Sequence, residues 1–584
     1  MRAMLGRFTP ANSGIFVAPK LSQTVASQQD DLCTAPINPN IALARDRFHQ
    51  TTLLFIFLGQ AALLVAAALQ NLNVINPDAV SYLRAAQHYL DGNTRLAVNG
   101  YWGPLFSWLL VPCLALGAAP LTAARIVMGA SAVVFLFGSV RLFKVMLWQP
   151  SRVLLSSALT AIFTAHWSVF DITPDLLMSG LLLLGISKTI EDDLKRRQAL
   201  AAGLFYGFAY LAKSVALPVS LVLIILLPNL RAAAGSQPVR TCLRRVSWTL
   251  LGFTLIALPW IILLSRHYGY PTFSTAASIN HALVGPGDLA QSHAHVMVRS
   301  YIVPALGRIS FWEDPDPRLY DTWSAFSNFA MFKHQLRVMV RNLIQILINF
   351  RSMDPIGLGL VSCLFGFFFS FSRLRKEKWR LAAPLVAVTA GIYLPVYAED
   401  LRYYIICYPI FIAAAFGFAD RFSAIDSPIG DPVVVARRSI MNPTDWRSTI
   451  AAALVTACFS FSLISDLRQA LRKNESFEYA FAQRLSNALH NAPPGPLVSV
   501  GDLNDVLYDI TLYVAFLTER QYYGNEIDAS SLGELRGGYY LVVRADTTLD
   551  RESASNAQAK RFFSAPSSDR SPDREINVYF VKAP

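Results

Sequence analysis

The chain has 584 residues, of which 53% are apolar and only 15% charged, and its mean hydropathy is +0.38. This composition excludes an ordinary soluble domain and indicates an all-α polytopic membrane protein, because a bilayer has no water to satisfy an open backbone. The apolar runs are longer than the alternating strands of a barrel, and the net charge of +12 does not indicate nucleic-acid binding, since most Lys and Arg residues flank these runs.

About 11 apolar runs are predicted to cross the bilayer. A helix needs about 20 residues to cross it, and roughly 17 is the shortest length that suffices. Residues 1–50 are polar and form a predicted cytoplasmic tail, and the first run is interpreted as an uncleaved signal anchor. The predicted spans are 51–70, 122–142, 153–170, 174–190, 198–213, 214–230, 247–266, 355–372, 381–398, 403–419 and 449–466.

Basic clusters, such as those at 195–197 and 373–380, predict the orientation of these spans. All of them lie on one side if the N-terminus is cytoplasmic and the C-terminus outside. This alternation requires the short apolar segment 103–120 to lie in the membrane plane or to be partly inserted. Residues 336–350 are interpreted in the same way, because Arg337 and Arg341 lie opposite their apolar face.

The transmembrane core at 51–466 then has outer loops at 71–121 and 267–354, and residues 467–584 form an outer α/β domain. Its predicted strands are "PLVSVGD", "GYYLVVRA" and "INVYFVKA".

The helix predicted in this domain is "DVLYDITLYVAFLTERQYYG", capped by Asp502 or Asn504. Residues 547–573 are predicted to be a loop. The domain has about 100 residues, a common domain size.

No metal site is predicted. His281, His293 and His295 are not spaced as ligands, and none of the cysteines lies after residue 466, so we expect neither a zinc site nor a disulfide scaffold. We assign no cofactor, and a divalent cation stays open. The six cysteines are Cys33, Cys113, Cys242, Cys363, Cys407 and Cys458.

The first outer loop contains "NVINPDAVSYLRAAQHYLDG", in which Pro77 and Asp78 open a predicted helix. As a structural residue, Asp78 would be the N-cap and accept a backbone N–H. As a functional residue, it would be a general base that takes a proton from a hydroxyl nucleophile. The two roles coexist only in part, because a capping oxygen is already occupied.

Asp175 and Lys213 are two further candidates, in "DITPDLLMSG" and "GFAYLAKSVALP". Thr173 as cap, Pro174 in the first turn and Asp175 at the positive end of a helix would be a structural explanation; otherwise Asp175 adds a second acidic group to an outer cavity. Lys213 lies between apolar runs, where a charge is a functional candidate. It either snorkels to the surface or holds the phosphate of a lipid carrier.

The stretch "YAEDLRYYIICYP" places Glu399, Asp400 and Arg402 at an outer hairpin. Glu399 and Arg402 form an internal ion pair, or the guanidinium binds phosphate oxygens in a bidentate manner. In the second outer loop, Trp312 and Trp323 are candidates for stacking on a sugar ring. Three acidic residues beside prolines are predicted turn residues: Glu313, Asp314 and Asp316.

Together these motifs resemble a family. An Asp in the first outer loop, followed by "YWGPLFSWLL", "TPD", "GFAYLAK" and "EDLRYY" in that order, is similar to the polytopic GT-C glycosyltransferases. The likeness is greatest to the bacterial relatives of protein O-mannosyltransferases and of the lipid A aminoarabinose transferase, and it covers roughly residues 50–420. It implies transfer of a sugar from a polyprenyl-phosphate carrier on the non-cytoplasmic face, generally with inversion.

The resemblance also implies roles for four residues. Asp78 matches the acidic residue of the first loop, the candidate base, and Asp175 matches an acidic Pro-Asp position. Lys213 and Arg402 match positions that hold the carrier phosphate. Many protein mannosyltransferases have an Asp-Glu pair where this chain has only Asp78. This departure argues against a protein acceptor and leaves a lipid, a glycan or a protein as the acceptor classes.

We therefore expect a glycosyltransferase of the cell envelope, in the bacterial inner membrane, whose partners are a polyprenyl-phosphate-linked sugar, its acceptor and membrane lipids, with no nucleic acid. The C-terminal domain is a candidate for binding the acceptor. A polytopic transporter and a non-catalytic envelope-assembly protein are the alternatives; a transporter commonly has repeated halves and broken helices near the midplane, which this sequence does not show.

Overall fold

The computed structural model describes residues 39–191, 195–233, 238–287, 294–353, 378–423, 446–503, 505–566 and 575–582. The chain divides into two compact units, Met1–Leu54 and Phe55–Pro584, and every contact discussed below lies within the second. Several sequence-based predictions fall outside the described residues, namely those on Cys33, His293, the span at 355–372, Cys363 and Asn504.

The first part of the chain is helical. Its helices are α1 (Pro39–Gln70), α2 (Pro77–Leu90), α3 (Pro104–Ala115), α4 (Pro120–Met146), α5 (Pro150–Trp167), α6 (Asp175–Thr189), α7 (Arg196–Ala212), α8 (Ala216–Ala233), α9 (Val239–Tyr268), α10 (Ala276–Ala282), α11 (Phe329–Met353), α12 (Ala382–Gly391), α13 (Cys407–Ser423) and α14 (Trp446–Leu471). Among the described residues, four helices are long and apolar enough to cross a membrane by length and composition: α1, α4, α9 and α14.

Two segments differ from a full span. The predicted span 381–398 is not one continuous helix, because α12 ends at Gly391 and Pro395 follows, which has no backbone N–H to donate and disfavours helix in the residue before it. Its crossing of the membrane stays a prediction. Helix α3 has 12 residues and is therefore about 18 Å long, against about 30 Å for the hydrocarbon core. Its position in the membrane plane stays a prediction.

Small residues bring the helices close together. A Cβ atom on Gly203 in α7 would collide with the carbonyl oxygen of Thr249 in α9, and one on Gly252 would collide with that of Leu200. The backbones of α7 and α9 are therefore in direct contact, as small residues permit between membrane helices.

The segment predicted as the second outer loop packs on α2 through a buried carboxylate. Glu313, which is 5% exposed, lies 3.1 Å from Nε2 of His88 and 3.7 Å from Nε of Arg84, and it accepts the backbone N–H of Ile309 at 2.7 Å. Glu313 lies in the single 3₁₀ turn Phe311–Glu313, which agrees with the turn predicted there, and its carboxylate also joins this turn to α2.

The C-terminal domain is a five-stranded sheet with helices. Its elements are α15 (Phe477–Leu489), β1 (Leu497–Val500), α16 (Leu507–Thr518), β2 (Tyr522–Glu526), β3 (Gly538–Arg544), α17 (Thr548–Ser555), β4 (Ala559–Pro566) and β5 (Glu575–Lys582). The strand order is β2-β1-β3-β5-β4. Strand β1 runs parallel to both β2 and β3, whereas β5 is antiparallel to β3 and β4.

Three predictions for this domain are corrected. The predicted helix ends at Thr518, and its last predicted residues form β2; the predicted loop at 547–573 contains α17 and β4. Asp502 does not cap α16, whose cap position is Val506. Strand β4 escaped prediction because it is an edge strand with mostly exposed residues, which lack the buried alternation of a strand.

The domain is attached to both outer loops. In the second loop, the backbone N–H of Ile302 donates to the carbonyl of Tyr523 at 2.6 Å, and the N–H of Tyr522 donates to the carbonyl of Ile309 at 2.7 Å. At the start of the first loop, the hydroxyl of Tyr513 donates to a backbone carbonyl of residue 75 at 3.3 Å. Strand β2, at the edge of the sheet, therefore contacts the second of these loops, and helix α16 contacts the first.

The docked domain predicts a pH dependence of stability. Burial, reinforced by the carboxylates of Glu478 and Asp78, raises the pKa of Asp509 in α16 to about 7, from about 3.9 in an unfolded chain. Between about pH 4 and 7 the folded protein holds a proton that the unfolded chain has lost, so stability falls as pH rises through this window. We expect Asp509→Asn to flatten the dependence and to stabilise the protein at pH 8.

The thermal midpoint of the detergent-solubilised protein, recorded from pH 4.5 to 8, measures this effect, and a tenfold change in proton affinity corresponds to about 1.4 kcal/mol. Asp502→Asn, at an exposed position of the same domain, is the control. A wild-type slope that persists in Asp509→Asn would contradict the assignment.

Candidate active site

Asp78 is the second residue of α2 and does not cap it. The cap position is Asn76, which makes no side-chain bond to the helix; its Oδ1 accepts the backbone N–H of Ile172 at 2.9 Å instead. Pro77 opens the helix, where no N–H is needed. The prediction of Asp78 as N-cap is therefore wrong, and its carboxylate lies at the positive end of the helix dipole, which stabilises the anion.

Arg402 lies in the short 3₁₀ helix Leu401–Tyr404 and joins two carboxylates. Its Nη2 lies 2.7 Å from Oδ2 of Asp78 and 3.1 Å from Oδ2 of Asp400. The Arg402 and Asp78 side chains are only 15% and 14% exposed. Burial acts to lower the pKa of Arg402, but the carboxylates of Asp78 and Asp400 outweigh it, so the pKa is raised and the side chain stays a cation.

Lys213 and Asp175 form a second ion pair. Lys213 ends α7 in an extended conformation, and its Nζ lies 2.7 Å from Oδ1 of Asp175, the buried first residue of α6. Thr173 is not the cap of α6 as predicted; the cap position is Pro174, without a side-chain bond. The Lys213 ammonium also lies 4.4 Å from the ring centre of Tyr403, within the range of a cation–π contact.

Both ion pairs line one cavity of about 490 Å³, a usual volume for a small-molecule site. Of the five residues predicted from sequence, the cavity brings together Asp78, Asp175, Lys213 and Arg402. Glu399 is exposed and does not line the cavity, whereas its neighbour Asp400 does. Aromatic side chains make up much of the remaining wall, including Tyr101, Trp102, Trp312, Tyr393, Tyr403 and Tyr508.

The chain before Arg402 is held by amide side chains of α11. Asn342 Nδ2 donates to the carbonyls of Leu394 at 2.9 Å and Val396 at 2.6 Å. Further along the same helix, Asn349 Nδ2 donates to the carbonyl of Glu399 at 3.1 Å. The irregular segment thus receives side-chain donors where it has left the helix, as buried backbone requires.

A second cavity, of about 450 Å³, lies against the same ion pair. It shares Asp78, Asp400 and Arg402 with the first cavity and is also lined by His166 and Asp171. Burial raises the pKa of Asp171, and the positive charge of Arg402 opposes this rise. The Arg402–Asp78 pair is therefore a wall that both cavities have in common.

Comparison with solved structures decides the fold. The structure of ArnT from Cupriavidus metallidurans bound to undecaprenyl phosphate has a TM-score of 0.52 at 13% identity and covers 90% of this chain and 98% of that chain. Its apo state has the same score and identity, with 91% and 98% covered. The oligosaccharyltransferase AglB from Archaeoglobus fulgidus, in complex with an inhibitory peptide and a dolichol-phosphate, has 0.50 at 12% identity, with 85% and 69% covered.

The chain has the GT-C fold. This confirms the resemblance that the ordered motifs predicted. No protein-family model and no curated protein matches the sequence. The GT-C fold is therefore established by structure, while the roles of individual residues depend on the geometry of the cavity.

Several cavity residues of this GT-C chain were not predicted as site residues. Asp400 lies in the predicted hairpin together with Glu399 and Arg402, but the sequence assigns a site role only to those two. Nothing in the sequence indicates that Tyr508 belongs to the site, because its helix is predicted to be part of a separate soluble domain. His295 was considered only as a metal ligand; it lines the cavity, and burial lowers its pKa to about 4, which makes it neutral at pH 7.

The remaining metal and aromatic candidates lie elsewhere. His281 stacks on Trp323, with ring centres 4.4 Å apart, and neither lines the cavity. Across the part of the chain that the structure describes, no group of three or more His, Cys, Asp or Glu side chains could hold a metal ion. The four cysteines within it are free thiols: Cys113, Cys242, Cys407 and Cys458.

The ion pair predicts a difference between two variants. Arg402→Gln leaves the carboxylate of Asp78 unpaired at a mostly buried site, so we expect a loss near the lower end of about 3–5 kcal/mol. Asp400→Asn removes a partner that is 37% exposed and should cost less than about 1 kcal/mol. Chemical or thermal unfolding of the two variants beside wild type measures the difference, and equal losses would contradict the central place of the Asp78 pair.

Proposed function

We propose that this chain is a membrane glycosyltransferase that moves a sugar from a polyprenyl-phosphate carrier to an acceptor hydroxyl on the non-cytoplasmic face. One observation carries the proposal. In a chain with the GT-C fold, two cations, Lys213 at the end of α7 and Arg402 before α13, line one cavity together with the carboxylate Asp78.

The carrier phosphate is assigned to the two cations. An ammonium has three N–H donors, of which the contact with Asp175 occupies one, so Lys213 retains donors for a phosphate. Nε of Arg402 is buried and has no hydrogen-bond partner among the described residues. The neighbouring folds support a lipid phosphate as ligand, because ArnT was solved with undecaprenyl phosphate and AglB with a dolichol-phosphate.

The reaction is a single displacement. The acceptor oxygen attacks the anomeric carbon as the bond from that carbon to the phosphate oxygen breaks, which inverts the anomeric configuration. Asp78 accepts the hydroxyl proton; its Oδ2 contacts Arg402, so Oδ1 is the oxygen assigned to this transfer. Lys213 and Arg402 stabilise the charge that develops on the departing phosphate, which is usually a large part of such catalysis.

The site is assigned to the outer face of a bacterial inner membrane. The proposed topology has 11 crossings, a cytoplasmic N-terminus and an external C-terminus, with domain boundaries at residues 50 and 466. It is supported by the meeting of α2, the second outer loop and the C-terminal domain at one cavity, because the proposed topology places all three outside. The acceptor is a lipid, a glycan or a protein.

The base assignment is tested by Asp78→Asn. The amide still accepts a hydrogen bond from Arg402 but takes no proton, so we expect sugar transfer to fall by about 10²–10⁴-fold while the folded protein is retained. Purified protein is given a panel of radiolabelled undecaprenyl-phosphate sugars with envelope extract as the source of acceptor, and transfer is counted. Asp91→Asn, at an exposed position beyond the other end of α2, is the matched control.

Full activity of Asp78→Asn would remove Asp78 as the base. No transfer by wild type from any donor of the panel would argue against the enzyme.

The topology is tested by reporter fusions. A periplasmic reporter joined after residue 466 should be active, because the domain that follows is assigned outside, and the same reporter joined after residue 50 should be silent. Activity is measured in intact cells with a cytoplasmic reporter at both positions as the reciprocal control. A cytoplasmic signal after residue 466 would overturn the crossing number and the outer location of the site.

A further inference from the structure

Three aromatic side chains in the first cavity have buried polar atoms that bond to nothing the structure describes. The atoms are the indole N–H of Trp312 and the hydroxyls of Tyr393 and Tyr508. The side chains come from three separate parts of the chain and are 6%, 6% and 9% exposed, respectively. All three residues line the cavity that holds Lys213 and Arg402.

Buried polar groups in proteins nearly always have a hydrogen-bond partner, so each exception calls for an explanation. Other buried atoms without a partner among the described residues lie within the helical core, but these three belong to aromatic side chains that line the same cavity. An indole nitrogen only donates, whereas a phenol donates and accepts. Together they offer more than one donor to a ligand that carries several hydroxyl groups.

Tyr508 is the residue that connects the C-terminal domain to this wall. It is the second residue of α16, and its ring lies 5.6 Å from that of Tyr522 in β2. The hydroxyl of Tyr522 is bonded to Ser499 in β1 at 2.7 Å. The sheet therefore supports the ring of Tyr508 from behind, and the contact of Tyr513 with the first outer loop fixes the helix that carries it.

Tyr508 lines the same cavity as the groups assigned to the reaction. Burial is the largest reason that its pKa is raised well above the ordinary value for tyrosine, and the negative charge of Asp78 adds to the rise. The phenol is therefore neutral at any physiological pH and keeps its proton for donation. Because Tyr508 lines the same cavity as Asp78, Lys213 and Arg402, it is assigned to the sugar end of the proposed donor rather than to the lipid tail.

We propose that Tyr508 binds the donor sugar, its hydroxyl forming a hydrogen bond with a sugar hydroxyl while Trp312 and Tyr393 bind others. This inference rests on the proposed function and deepens it, because it makes the C-terminal domain part of the donor site. The domain then contributes to sugar specificity. A donor sugar is favoured over an acceptor as the ligand because the same cavity contains both cations assigned to the carrier phosphate.

The experiment compares the carrier lipid without a sugar and with each of three sugars. Binding of undecaprenyl phosphate, and of undecaprenyl-phosphate mannose, glucose and arabinose, is measured on the full-length protein in detergent. Tyr508→Phe removes one oxygen atom and leaves the ring in place. Tyr539→Phe, in a buried position of the same domain that does not line the cavity, is the matched control, and thermal midpoints establish that both variants fold.

We expect Tyr508→Phe to lower the affinity for the tightest-binding sugar-bearing lipid by about five- to tenfold, the effect of losing one ordinary hydrogen bond. The affinity for undecaprenyl phosphate should stay unchanged. Tyr539→Phe should change neither. Equal affinity of wild type and Tyr508→Phe for the sugar-bearing lipid would overturn the inference and leave the proposed function standing. The same holds if Tyr508→Phe loses as much affinity for undecaprenyl phosphate as for the sugar-bearing lipid. Failure of wild type to bind any of the four lipids would overturn the proposed function as well.

Discussion

The geometry of the site depends on the ion pair between Arg402 and Asp78. A guanidinium beside the ends of membrane helices is costly unless it is paired, and here the partner comes from the first outer loop, more than three hundred residues earlier in the chain. Pairing therefore fixes the start of α2 against the hairpin before α13. The amides of α11 hold the backbone of that hairpin, and Glu313 holds the other side of α2. These contacts place Asp78 and Arg402 on one wall of the cavity.

Sequence reasoning reached the charged residues but not their arrangement. The positions of Asp78, Asp175, Lys213 and Arg402 could be found because an isolated charge in an apolar chain is conspicuous. Which carboxylate pairs with which cation could not, since pairing is set by the packing of distant segments. The capping rule also misled twice, because α2 begins at Pro77 with Asn76 at its cap position, and the cap position of α6 is Pro174 rather than Thr173.

The fold was predictable to the same extent. Long apolar runs predict helices because lipid leaves few alternatives, and strands β1, β3 and β5 have buried, β-branched sequences. Strand β2 was hidden in the polar end of a helix pattern, and it is stabilised by backbone bonds to the second outer loop, a partner that no sequence window contains. The contribution of Tyr508 to the cavity has the same origin, because it follows from where the domain is attached.

The charges at the site suit the proposed reaction. Three carboxylates, Asp78, Asp175 and Asp400, face two cations, so these groups together carry a net negative charge and a carrier phosphate must compete with Asp78 for Arg402. Transfer moves one proton from the acceptor to Asp78 and leaves one more negative charge on the carrier phosphate. Protonation weakens the hold of Asp78 on Arg402 as the phosphate gains the charge that attracts it. The guanidinium can therefore pass from the base to the leaving group without any change in the net charge of the cavity.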